Sequence, residues 1–413
     1  MSTKTLIVIG GGAAGFFCAV NAARMNPDLK VIILEKQKQL LSKVKVSGGG
    51  RCNVTHACFE IDELAKFYPR GQHFLKKAFH WFNTKDTIQW FEERGVELKA
   101  EQDGRMFPTT NSSQTIIDCL LKESSKYKVD IITGCEVLAI QKQEEKWVVS
   151  TNSENYKADD LMIAAGGFAT SIKFDWLKQI GHTIEEPVPS LFTFNMPKNP
   201  INQLMGVSVP KAQVKLLGSK LQSVGPVLIT HWGLSGPAIL KLSAYGAREL
   251  ANKKYSFSII INWLPDTNEQ SLRNDWVNIR NANAAQKIGG KNPFGLPTRL
   301  WQYFLSTCNI KEESRWAELP AANQNKLIAK LTTQIFEVNG KTTFKEEFVT
   351  CGGIKLSEID PNSMQSKKVD HLFFGGEVMD IDGVTGGFNF QNAWTSGWIA
   401  AKAISEKSKI SPM

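Results

Sequence analysis

Lys4-Thr5-Leu6-Ile7-Val8-Ile9-Gly10-Gly11-Gly12-Ala13-Ala14-Gly15 decides the fold. An apolar, partly β-branched run enters a glycine-rich turn, and small helix-forming residues follow. A second apolar run, Val31-Ile32-Ile33-Leu34, ends on Glu35. Strand, tight turn, helix, strand and acid in this order form the dinucleotide-binding fingerprint. Each part has a mechanical task. Gly10 permits the sharp turn, Gly12 lets backbone approach a pyrophosphate, and Gly15 lets the helix pack close to the strand. A helix starting near Ala13 and Ala14 points free N–H groups and a positive dipole end at phosphates. Glu35 can accept hydrogen bonds from a ribose diol, and Lys36 beside it joins the candidate contacts.

Around this unit the composition is that of an ordinary globular chain. With 413 residues and 42% hydrophobic content, there is room for about two to three domains and a sizeable core. No apolar run approaches the roughly 18–20 residues of a membrane span. The N-terminal apolar stretch is broken by glycines, so it lacks the continuous core of a signal peptide. The expectation is a cytoplasmic protein without a membrane partner. Cysteines stand at 18, 52, 58, 119, 135, 308 and 351 with no C-x-x-C pair. That spacing speaks against a disulfide framework, a zinc site or a redox dithiol. The six histidines show no metal-ligand spacing, so no metal is expected. The net charge is +9, but the lysines are scattered and no basic block interleaves with aromatics. This reads as a solvated surface, and a nucleic-acid partner is not expected. Oligomeric state is left open.

Further along, Ser47-Gly48-Gly49-Gly50-Arg51-Cys52-Asn53 has no apolar period and reads as a loop. Helical spacing of Phe74, Ala78, Phe79, Phe82, Ile88 and Phe91 predicts a helical region over about 71–94, and another helix follows at about 112–127. Strands are expected at 129–133, 135–142 and 146–151, the last two as a hairpin, and then a buried strand at 161–163 ending in Ala164-Ala165-Gly166-Gly167. The character changes near residue 190. Short strands punctuated by Pro and Gly run to Trp263, and a polar helical pattern runs from Pro265 to about Val338. A strand-like run, Thr342–Val349, precedes a return to α/β character at Cys351. Leu372-Phe373-Phe374 is a strand ending in Gly375-Gly376-Glu377. A glycine turn at 383–387 leads into a helix at 389–402. The fold class is therefore α/β, with a Rossmann-like domain over 1–189 and 351–413. It is interrupted by a β-rich insert (190–264 and 339–350) that carries a helical subdomain (265–338).

The fingerprint fits NAD or FAD. Only one such fingerprint is present, and glycine-rich strand ends recur at 166, 376 and 387, enough to embrace a long extended ligand. The strand ending in Gly-Gly-Glu, followed by a glycine turn and a helix, suits a flavin, because a helix N-terminus stabilises charge on the pyrimidine edge of a reduced ring. With the Ser47–Asn53 run, Thr230-His231-Trp232-Gly233-Leu234-Ser235-Gly236-Pro237, Thr350-Cys351-Gly352-Gly353 and the segment from Gly375 through Gln391, the chain resembles a family. These are the bacterial FAD-binding flavoproteins grouped with aminoacetone oxidase and with BaiN. The motifs span almost the whole chain. The resemblance implies a glutathione-reductase-class FAD fold with a β-barrel-like insert and an FAD-dependent oxidoreductase activity on a small molecule. Where such strands usually end Ala-Thr-Gly-Gly, this chain has Ala164-Ala165-Gly166-Gly167.

The expected cofactor is noncovalent FAD, with NAD(P)H as a possible transient donor. Its candidate contacts are Gly10, Gly12, Ala13, Ala14, Gly15, Glu35, Lys36, Ser47, Gly48, Gly49, Arg51, Asn53, Val137, Ala165, Gly166, Gly376, Glu377, Asp380, Gly387, Asn389 and Gln391. The substrate is expected between the FAD domain and the insert. Arg51, whose guanidinium fork suits an anion, and His231, whose imidazole can move a proton near neutral pH, are the candidate catalytic residues. The expected chemistry is amine oxidation or NAD(P)H-linked reduction. A flavin-dependent tRNA-modifying protein and a non-catalytic flavin-binding redox module are the alternatives.

Overall fold

A computed structural model describes residues 3–290, 292–342 and 349–409. The chain divides into two compact units, Met1–Ser190 with Phe344–Met413, and Leu191–Thr343.

In the first unit Thr5–Ile9 is the central strand of a five-stranded sheet. It pairs in parallel with Lys30–Glu35 on one side and with Asp160–Ile163 on the other. Asp130–Thr133 extends the first side and Leu372–Phe374 the second, both parallel. Leu6, Ile7, Val8 and Ile33 are fully buried, as expected of a sheet covered on both faces. The turn brings Gly10 so close to the neighbouring strand end that a Cβ there would meet the Ala164 carbonyl at 2.4 Å. At Gly15 a Cβ would lie 2.0 Å from the Gly10 carbonyl oxygen, so only glycine lets Ala13–Met25 leave the strand at this angle.

The C-terminal helix, Phe388–Lys409, packs along Ala13–Met25. Gly397 makes that approach possible, since a Cβ there would sit 2.7 Å from the Ala14 carbonyl oxygen. Phe17 bridges the pair, with its ring 5.1 Å from that of Trp394 and 4.5 Å from that of Trp90. The last part of the chain therefore supports the first turn directly.

Several sequence expectations need correction here. The glycine-rich run Ser47–Asn53, read as a loop, is entered from a short helix. Ser42–Gly50 starts as a helix, and the backbone leaves helical angles at Ser47, Gly48 and Gly49. The region 71–94 holds two helices, Gln72–Ala78 and Thr84–Glu92, because Asn83 caps the second with a reciprocal box to Asp86. The expected helix at 112–127 and the hairpin of Val137–Gln143 with Lys146–Thr151 are present.

The second unit is built on a seven-stranded sheet. Its two edges are Gln334–Asn339 and Lys341–Thr342, with only Gly340 between them, so the sheet curls round until its ends meet. This gives the barrel-like form. The expected helical run to Val338 stops at Thr332, because Gln334–Asn339 alternates buried and exposed residues and pairs with Ser256–Asn262. Two helices inside the β-rich stretch, Pro237–Tyr245 and Ala247–Asn252, were not signalled by period. The helices Glu269–Ala282, Thr298–Thr307 and Ala321–Thr332 share one apolar core with the sheet, centred on Trp263, Trp276, Trp301 and Trp316. The expected strand 342–349 lies mostly outside the described residues. Val349–Ile354 is a strand paired antiparallel with Ile184–Ser190 in the first unit.

Candidate active site

The turn after the first strand is shaped for an anion. No side chain caps the helix at Gly12, and its first turn holds no acid, which leaves the N–H groups of the Ala13–Ala14 turn to a ligand. A Cβ at Gly12 would meet nothing within 4 Å, so the space over the turn is open. Glu35 holds the turn from the side. Its Oε2 accepts the Gly11 N–H at 2.7 Å and its Oε1 accepts the Gln37 N–H at 2.8 Å. A carboxylate has further acceptor capacity, so the same group can serve a ribose. Lys36 is exposed beside it.

The C-terminal segment reaches the same turn. Gly376 has φ +72° and lies so near Ala14 that the two Cβ positions would be 3.1 Å apart. Glu377 accepts a 2.6 Å ion pair from Lys43, a partner that sequence reading passed over. Asp380 donates its backbone N–H to Ile354. Gly166, φ +76°, also has open space above it. Next to it a Cβ at Gly167 would meet Thr350 Oγ1 at 2.6 Å and Glu377 Cβ at 3.6 Å. The Thr350 hydroxyl is buried and has no hydrogen-bond partner among the described residues. An orphaned buried hydroxyl costs about 1–3 kcal/mol, so one facing a glycine strand end fits a ligand group there. Thr350 belongs to the Thr-Cys-Gly-Gly motif, but nothing in sequence distinguished its side chain.

The glycine-rich segment forms the third wall. Gly49 and Gly50 have positive φ and open space, whereas a Cβ at Gly48 would strike the Phe107 ring at 2.8 Å. Ser47 turns inward, its hydroxyl donating to the Val44 carbonyl at 2.9 Å. Arg51 lies with its guanidinium 3.9 Å from the Phe107 ring centre and 2.6 Å from Glu101. A stacked, paired guanidinium is held in one orientation with a third of the side chain still exposed. Cys52 is fully buried, and burial pushes its thiol up to about 12, which removes it as a nucleophile at neutral pH. Asn53, nearly buried, accepts the Gly387 N–H at 3.0 Å and donates to the carbonyls of Thr55 and Met106, fixing the segment to the C-terminal turn.

Two candidates face inward instead. Gln391 is fully buried, accepts the hydroxyls of Thr55 (2.6 Å) and Thr87 (3.0 Å), and donates to Thr395. Asn389 closes on Gly383, accepting its N–H and donating to its carbonyl. The Asn389 side chain is spent on the turn before the last helix, and that of Gln391 ties the helix to Thr55 and Thr87. Gly387 belongs to that turn at φ +93°, where a Cβ would strike the Thr55 carbonyl at 2.5 Å. Val137 and Ala165 are half-buried, Val137 at the start of its hairpin.

His231 belongs to the second unit. It is exposed at the tip of a tight turn that Thr230 and Gly233 close by mutual hydrogen bonds, and its ring lies edge-on to Trp232 at 4.1 Å. Arg51 and His231 thus lie in different units.

A separate cluster has the contact order of a hydrolytic relay. Ser366 Oγ is 3.0 Å from His182 Nε2, and His182 Nδ1 is 3.0 Å from Glu358. Ser366, however, is buried and accepts the backbone N–H groups of Lys368 and Val369. It is a structural clamp. Among the described residues no cluster of acids, histidines or cysteines could hold a metal ion. No helix there is long and apolar enough to cross a membrane.

A family profile described as the HI0933-like protein Rossmann domain matches residues 4–403. The chain belongs to this family. The HI0933-like chain is 27% identical over 412 residues to a 3-dehydro-bile acid delta(4,6)-reductase of Clostridium scindens, covering 97% of this chain and 98% of the relative. It is 31% identical over 407 residues to a ribosomal RNA dihydrouridine synthase of Escherichia coli, covering 96% and 97%. Among solved structures, 3-ketosteroid Δ1-dehydrogenase of Sterolibacterium denitrificans has a TM-score of 0.51 at 12% identity, covering 98% of this chain and 100% of that one. The 3-ketosteroid-Δ4-(5α)-dehydrogenase of Rhodococcus jostii gives 0.50 at 12% identity, with 98% of each chain covered. At such identity the likeness shows the fold alone. The chain is a Rossmann flavoprotein of the oxidoreductase kind, as its motifs implied.

Proposed function

We propose that this protein is an FAD-dependent reductase that saturates a carbon–carbon double bond conjugated to a carbonyl in a small molecule. The carrying observation is the three-walled cradle in the first unit, made by the uncapped turn at Gly12, the glycine segment at 47–53 and the strand ends at Gly166 and Gly376. Its glycine lining and the open space over Gly12, Gly49 and Gly166 fit FAD. The names of the full-length relatives support the direction, since both describe addition of hydrogen across a ring double bond. FAD, when bound, supplies the hydride carrier.

The chain's own residues supply binding and polarity. The Ala13–Ala14 turn receives the pyrophosphate, Glu35 the ribose diol, and Thr350 a polar group near Gly167. Arg51, held by Glu101 and Phe107, is the group to orient and polarise a substrate carbonyl, which strengthens the pull on the conjugated double bond. The second carbon takes its proton from solvent. NAD(P)H is the proposed reductant. Anaerobic mixing with NADH or NADPH should bleach the visible flavin band, and an enone should restore it with formation of the saturated product. Arg51→Ala should slow that restoration while leaving FAD content near wild type. An unchanged rate in this variant would place the chemistry elsewhere.

A second reading has its own support. The 31% identical relative and the net charge of +9 favour the uracil ring of an RNA as the double-bond acceptor. The hydrogen-addition chemistry is the same in both.

A further inference from the structure

In the first unit an open cleft of about 540 Å³ runs between the helix Gln72–Ala78 and the turn that follows Val349–Ile354. Its apolar lining comes from Phe74, Leu356 and Pro361, its charged lining is Lys77 and Lys367, and His73 stands beside them. No carboxylate lines it. Lys77 has no ion-pair partner among the described residues, and the carboxylate nearest to it in sequence, Asp86, accepts the Asn83 N–H in a helix cap. The surface continues past Pro361. Asn362, held by the Asp360 carboxylate, accepts the indole N–H of Trp81 at 3.1 Å; Trp81 is 42% exposed, and the Lys402 ammonium, paired with Glu406 at 2.9 Å, lies 4.7 Å from its ring centre.

Two lysines beside an open apolar floor and a part-exposed indole are what a flexible polyanion with flat, stackable groups requires. Phosphates pair with the ammonium groups and bases stack on the rings. A small anion would use the lysines but not Trp81, and a duplex would not reach into the cleft with its bases. We propose that this cleft and the adjoining Trp81 form a docking surface for a single-stranded RNA segment. The proposal rests on the RNA reading above and gives it a location. It also explains what the sequence hid: Lys77 and Lys367 stand 290 positions apart and line one cleft only in the fold.

The test is fluorescence anisotropy of the FAD-loaded full chain with a labelled, uridine-containing single-stranded RNA across a salt series. Wild type should bind with a salt-dependent Kd. Lys77→Glu with Lys367→Glu should raise Kd at least tenfold and lower the log–log salt slope by roughly 1.4, about 0.7 per lost phosphate contact. The flavin spectrum and FAD retention should not change. Trp81→Ala, which leaves the charges intact, should weaken binding with little change in slope. If wild type binds no RNA, the RNA reading fails together with this surface. If wild type binds but all three substitutions leave Kd and slope unchanged, the surface is wrong and the reading stands. Binding to anionic phospholipid vesicles in place of RNA, lost in the double-lysine variant, would also overturn the proposal.

Discussion

At the scale of single residues, Thr350 and Glu35 separate cofactor contact from scaffold. The Thr350 hydroxyl is buried without a partner, so its removal in the empty protein relieves a cost. Thr350→Val should therefore leave thermal stability of the FAD-free protein equal or slightly higher, and it should weaken FAD binding about five- to tenfold, the loss expected of one hydrogen bond. Unchanged affinity, measured by titration of the apoprotein with FAD, would mean that the hydroxyl faces no ligand. Glu35→Ala should weaken FAD retention about tenfold or more, since a charge-assisted hydrogen bond contributes about 1.5–3 kcal/mol. The structure adds a reason absent from sequence, namely that the same carboxylate holds the Gly11 N–H and with it the turn. The glycine roles were legible because Gly10 and Gly15 follow from strand-to-helix geometry alone. Thr350, Lys43 and Glu101 were not, because their meaning comes from partners far away in sequence.

Elements contribute two further expectations. Gly397 sits where the last helix crosses the first, and Gly397→Val should destabilise the protein by about 1–3 kcal/mol through overpacking. It should also loosen the cofactor turn that this helix supports, seen as lower Tm together with weaker FAD retention. Loss of neither would show that the two helices can separate without consequence. The His182–Glu358–Ser366 clamp should govern acid stability. Burial raises the Glu358 carboxyl, but Lys368, Thr183 and His182 outweigh it and hold the group at about 2. Because the folded value is depressed, its contribution is present above the ordinary carboxylate range and disappears as pH falls from about 4.5 to about 2. His182 is itself lowered by burial, so protonation below its ordinary range acts in the same direction. Glu358→Gln should lower the denaturation midpoint at pH 7, and the wild-type and variant curves should converge toward pH 2. Parallel curves at all pH values would contradict this. Long periodic elements, such as Ser113–Lys126, were legible in sequence. The boundary at Thr332 was not, because a polar alternating strand at Gln334–Asn339 resembles the end of an amphipathic helix until its pairing is known.

For the whole molecule, the first unit's class followed from the order of strand, turn, helix and acid, since parallel pairing and burial of Thr5–Ile9 are what that order physically permits. The second unit was legible only as a change of texture near residue 190, because strand order in a curled sheet depends on pairings between distant segments. Net charge alone did not locate a surface, because Lys77 and Lys367 line one cleft only once the chain is folded. Substrate class stays the main branch point, and both branches share one reaction. The most direct measurement starts from FAD-loaded protein reduced to completion without oxygen. It is mixed separately with a conjugated steroid enone, with uridine-containing RNA, and with buffer, while the visible flavin band is followed and the acceptor is weighed by mass spectrometry. Reoxidation by one of the two acceptors, with that acceptor gaining two hydrogens, is the predicted result. If neither acceptor restores the band, while an amine bleaches the oxidised flavin and oxygen alone restores it, the protein is an oxidase and the reductase account is wrong.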